Sequence, residues 1–93
     1  MTNKLTRNQV YARLDSEREY QNVRWVGPDG PHVHTPTEWL VYIQDYLTEA
    51  IRFSSREDAI TADVKVMDSL RKIAGMCVAA AEQNGMNFRN ELS

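Results

Sequence analysis

Within residues 16–25, SEREYQNVRW, charged, amide and aromatic side chains fall on consecutive turns of one helical stretch. Arg18 and Arg24 offer planar forks of donors suited to phosphate oxygens. Gln21 can read the edge of a base, and Tyr20 and Trp25 offer faces on which a base can stack. Together these are the side chains of a nucleotide pocket. At helical spacing Val10, Leu14, Gln21 and Trp25 share one side, with Glu17 and Arg18 interrupting the stripe. Apolar anchors above and below keep Arg18 and Gln21 from being freely solvated. The same pattern also fits an intramolecular Arg18–Glu pair on a mixed helix face.

Residues elsewhere can join this set. Arg71 falls in an apolar sector between Met67, Ala74 and Val78, where a guanidinium must find a partner or reach the rim. Trp39 heads an aromatic stripe with Tyr46 and Phe53, and His34 belongs to an H-x-H in the loop before it. The candidate ligand set is therefore Arg18, Tyr20, Gln21, Arg24, Trp25, His34, Trp39 and Arg71. His32 and His34 lack further ligands for a metal, since Cys77 reads as a small core residue. Glu38, Asp45 and Glu49 share a side that could hold a divalent ion. Tyr42, Arg52 and Arg56 lie there too, so a solvated face with a Glu49–Arg52 pair explains it better. Asp68 and Lys72 read as an i,i+4 pair. No catalytic residue, metal or cofactor is assigned.

Three helices position these groups, over about residues 6–25, 36–53 and 56–84. Thr6 with Gln9, and Thr35 with Glu38 around Pro36, have capping-box spacing. GPDGPHVH makes a constrained loop between the first two helices, and Ser55 with Asp58 can cap the third. Asn84-Gly85 ends that helix. Nothing reads as a strand. The expected fold is all-α: residues 1–93 as one domain, a helical hairpin with a packed N-terminal helix.

The hairpin carries more apolar surface than one chain can cover. Leu40, Ile43, Leu47, Ala50 and Ile51 share a face of the second helix, beside the aromatic stripe. The third is apolar over more than half its circumference. A homo-oligomeric bundle, dimer or tetramer, is expected. The single cysteine points to a reducing compartment, and no h-region or membrane-length apolar run occurs, so a cytoplasmic setting and no membrane partner are expected. A net charge of −2 argues against a duplex nucleic acid partner. Lys4, Arg7, Arg13, Arg18 and Arg24 nevertheless outnumber Asp15, Glu17 and Glu19 within residues 1–25, a local excess suited to a small anion.

The run ER-Y-Q--RW, then EWLVYIQDYLTEA, then LRKIAGMCVAAAEQ resembles small phage-encoded MazG-like proteins. The resemblance implies an all-α oligomer that acts on nucleotides and holds magnesium through E-E-x-x-E and E-x-x-D motifs. DYLTE retains Asp45 and Glu49 but places Tyr46 where the middle acid belongs, and the second motif keeps only Asp68. A nucleotide fold with a degenerate metal site and an intact polar-aromatic wall implies binding without turnover. It is similar in this to phage sponges that sequester cyclic di- or oligonucleotide signals of bacterial immunity (anti-CBASS proteins). Alternatives are a MazG-like nucleoside triphosphate pyrophosphohydrolase and a helical inhibitor acting by protein–protein contact.

Overall fold

A computed structural model of the chain describes residues 4–27, 30–56 and 58–90. Three helices account for nearly all of the regular structure among the described residues: α1 (Arg7–Arg24), α2 (Pro36–Arg56) and α3 (Ala59–Asn84). The starts of α1 and α2 have the expected chemistry. Gln9 N donates to Thr6 Oγ1 while Thr6 N donates to Gln9 Oε1. Thr35 and Glu38 form the same reciprocal pair at the head of α2.

The boundary between α2 and α3 differs from the sequence reading. α2 continues past Phe53 to Arg56, and Asp58 alone caps α3, its carboxylate accepting from Thr61 N at 3.0 Å. Ser55 stays inside α2, its hydroxyl donating to Arg52 O. α3 ends at Gly85, where φ of +85° suits a residue without a Cβ. The loop after α1 also holds a short antiparallel ladder, β1 (Val26–Gly27) with β2 (Gly30–Pro31), which apolar periodicity had no means of signalling.

α3 is the central element, with α1 and α2 packed against it. Trp39, Met76 and Ala79 form the buried cluster, flanked by Trp25, Ile43 and Ala80. Near the tight turn, Ala50 of α2 and Ala62 of α3 are also buried. The expected aliphatic face of α2 turns out to be split. Ile43 and Ala50 go inward with Trp39 and Phe53, whereas Leu40, Leu47 and Ile51 stay exposed. The two stripes lie about 100° apart on the helix, so one neighbour covers only one of them. The side of α2 headed by Trp39 takes the covered place, with Tyr46 left exposed, because the Trp39 ring fills the contact and its indole N–H finds Gln83.

On α3, Ile60, Val64, Met67 and Leu70 are likewise exposed. So is Cys77, which the sequence reading placed in the core. The chain exposes 7757 Å², against about 5,500 Å² for a compact monomer of its mass. Its radius of gyration is 15.0 Å, where about 12 Å is usual for this length.

Candidate functional site

The α1–α3 seam is closed by polar side chains rather than by aliphatic ones. Gly75 makes this possible: a Cβ there would stand 2.8 Å from both Gln21 Nε2 and Glu17 Cγ. Both side chains are buried in that space. Gln21 Nε2 donates to Lys72 O at 3.1 Å, and its Oε1 accepts from Arg18 Nη1 at 3.2 Å. Arg18 also donates from Nε to Glu82 at 2.6 Å and from Nη2 to Asn22 at 2.8 Å.

Arg71 donates from Nε to Glu17 at 2.8 Å and from Nη1 to Asp68 at 2.7 Å. The hydrogen bond that Arg71 donates to Glu17 is the main influence raising the Arg71 pKa, against the opposing effect of burial. Arg18, Gln21 and Arg71 are thus engaged in joining two helices, and Arg71 has found the partner its position demanded. Asp68 pairs with Arg71 rather than with Lys72, because the bond across i,i+3 is closed by a guanidinium already fixed at Glu17.

The aromatic candidates come together elsewhere. Arg24, Trp25, His34 and Trp39 line one cleft of about 340 Å³ with His32, Tyr42, Tyr46 and Met76. The rings of Trp25 and Trp39 are 5.9 Å apart, and His34 meets Trp39 edge-on at 5.2 Å and Tyr42 at 4.8 Å. The loop carrying His34 is fastened to the end of α3. His34 N and Trp39 Nε1 both donate to Gln83 Oε1, and Gln83 Nε2 donates to His32 O. Asn84 Nδ2 donates to His34 O. A constrained loop therefore becomes a fixed wall.

A second compartment of about 240 Å³ adjoins the first across Arg24, Trp25, Tyr46 and Met76. Tyr20, Gln21, Glu17 and Lys72 complete it, with the Arg24 guanidinium 5.9 Å from the Tyr20 ring centre. Tyr20 is thus near the cleft but beside its polar end. The sequence reading missed Tyr42, which it grouped with the carboxylate face, and Gln83, whose only signal was its place just before the Asn84-Gly85 stop. It also missed Lys72 as a cavity residue.

The carboxylates of α2 have separate surroundings. Glu38 is held in the helix cap, and the hydrogen bond from Thr35 N lowers its pKa. Glu49 lies 4.0 Å from Arg52, the pair that spacing predicted, and Asp45 is exposed. Among the described residues no group of three His, Cys, Asp or Glu is arranged to hold a metal ion. No helix among them is long and apolar enough to cross a membrane. Comparison with protein families, curated proteins and solved structures finds no match for this chain.

Proposed function

We propose that this chain is a non-catalytic nucleotide-binding protein which sequesters a cyclic di- or oligonucleotide in an assembly of several copies. The observation that carries the reading is the convergence of Arg24, Trp25, His34 and Trp39 with Tyr42 on one cleft. Tilted and edge-on rings there leave a concave aromatic space beside an arginine, which suits a heteroaromatic base bearing a nearby negative charge. The cleft volume of about 340 Å³ lies near the low end for small-ligand pockets, about 300–1,000 Å³. It has room for one nucleotide unit. A cyclic dinucleotide carries two, so two copies related by a two-fold axis would share it.

The excess exposed surface supports assembly. Leu40, Leu47 and Ile51 on α2 and Ile60, Val64 and Met67 on α3 remain uncovered, and apolar side chains grouped on an exposed helix face suit a contact with a second copy.

Calorimetry against mononucleotides, nucleoside triphosphates and cyclic di- and trinucleotides tests the reading. Binding should occur without magnesium, and His34→Ala and Tyr42→Ala should weaken it. Loss of base stacking is worth about 1–3 kcal/mol per base, roughly five- to a hundredfold in affinity. Failure of every nucleotide to bind below millimolar concentration would overturn the proposal. Pyrophosphate release that Asp45→Ala and Glu49→Ala abolish would replace it with the hydrolase reading.

A second reading, a helical inhibitor that acts by protein contact, is favoured by the same uncovered apolar faces. It predicts a monomer in isolation and no nucleotide binding.

A further inference from the structure

Charge pairing around the α1–α3 seam is uneven. Arg18 is neutralised by Glu82, and Arg71 by Glu17 and Asp68. Arg24 and Lys72 have no carboxylate within ion-pair distance among the described residues, and both line the 240 Å³ compartment. Lys72 lies one turn beyond Asp68, its natural helix partner, but Asp68 holds Arg71 at 2.7 Å. The one carboxylate in the compartment wall, Glu17, is buried with its Oε1 bound to Arg71. Two cations from different helices, neither paired with a carboxylate among the described residues, therefore face one concave polar space.

We infer that this compartment is an anion subsite for a phosphate or pyrophosphate group, with Arg24 and Lys72 as its positive groups. Arg24, Trp25, Tyr46 and Met76 form walls of both compartments. A ligand ring in the aromatic cleft would therefore continue directly into the anion subsite. The ligand class becomes a phosphorylated base–sugar unit, favoured over the bare nucleoside. The subsite stands on its own charges, and only its linkage to a base rests on the function proposed above. Lys72 contributes from the one turn of α3 whose carbonyl is held by Gln21, so its backbone is fixed relative to α1.

Inorganic pyrophosphate is the direct probe, with backbone amide resonances of the full chain as the readout. Pyrophosphate should shift the signals around Tyr20, Arg24 and Lys72. Lys72→Met should weaken its binding about ten- to a hundredfold, as expected for one charge-assisted contact, and Lys72→Arg should restore it. A parallel titration with a nucleoside and its 5′-monophosphate should show that Lys72→Met removes the preference for the phosphorylated form. No shift with pyrophosphate, or equal binding by Lys72→Met, overturns the subsite. If nucleosides still bind in that case, the aromatic cleft stands without it. If pyrophosphate binds through Lys72 while no nucleoside or nucleotide does, the subsite holds and the nucleotide reading fails.

Discussion

Gly75→Ala measures how closely α1 and α3 are joined. In an ordinary helix interior the change should stabilise by about 1 kcal/mol, since glycine is a poor helix former. Here the added Cβ would stand 2.8 Å from Gln21 Nε2 and Glu17 Cγ, and 3.0 Å from Gln21 Oε1. Ordinary contact is about 3.5–4.0 Å, so the neighbours must retreat by roughly 0.5–1 Å. Neither side chain is loose: Gln21 is 1% exposed and Glu17 6%. Moving Gln21 that far stretches its 3.1 Å bond to Lys72 O beyond hydrogen-bonding range. Overpacking costs about 1–3 kcal/mol, and a lost hydrogen bond about 0.5–1.5 kcal/mol more. After the helix-propensity gain the expected net loss is about 1–3 kcal/mol. Thermal unfolding at fixed protein concentration should show a melting temperature lower by at least about 4 °C. Gln21→Ala removes two of the three short contacts, so Gly75→Ala made in that background should cost at least about 1 kcal/mol less than in the parent. A stabilising Gly75→Ala, or strict additivity with Gln21→Ala, would refute the seam as described.

Glu17→Ala should destabilise by about 1.5–3 kcal/mol, the range for a hydrogen bond to a charged group. The loss stays below that of a fully buried pair because Arg71 is partly exposed and keeps Asp68; a denaturant midpoint checks it. Arg18→Ala and Gln21→Ala should each lower the melting temperature, and unchanged stability would return both to the list of free ligand groups. Acid should loosen the helix starts. Thr35 N and Thr61 N hold the Glu38 and Asp58 carboxyls below their ordinary pKa values. Their contribution is present above about pH 4 and is lost as pH falls through the lowered folded values. Glu38→Gln with Asp58→Asn should flatten the acid limb of the stability profile, and an unaltered limb would count against these caps. Leu47→Glu should dissociate the assembly without unfolding the chain, as read by light scattering; if the parent is already monomeric, the assembly argument fails.

The caps of α1 and α2 and the helical class were legible in the sequence because they depend on residues three or four positions apart. Thr6 with Gln9 and Thr35 with Glu38 close their hydrogen bonds locally, whatever packs around them. The Glu49–Arg52 pair was legible for the same reason. Which stripe of α2 is covered was not legible, because two apolar stripes compete for one neighbour and only the rotation of α2 against α3 decides between them. The candidate site residues divide along the same line. Sequence spacing could mark Arg18, Gln21 and Arg71 as groups needing partners, but the partners lie at Glu82, Lys72 and Glu17, on another helix in each case. The cleft depends on contacts of the same long reach. Gln83 fastens His34 and Trp39 from the far end of the chain, and the seizure of Asp68 by Arg71 leaves Lys72 with its charge unpaired among the described residues. Local hydrogen bonding fixes where each helix begins; the competition of side chains for a limited number of partners across helices fixes which charges are paired with a described carboxylate and which are not.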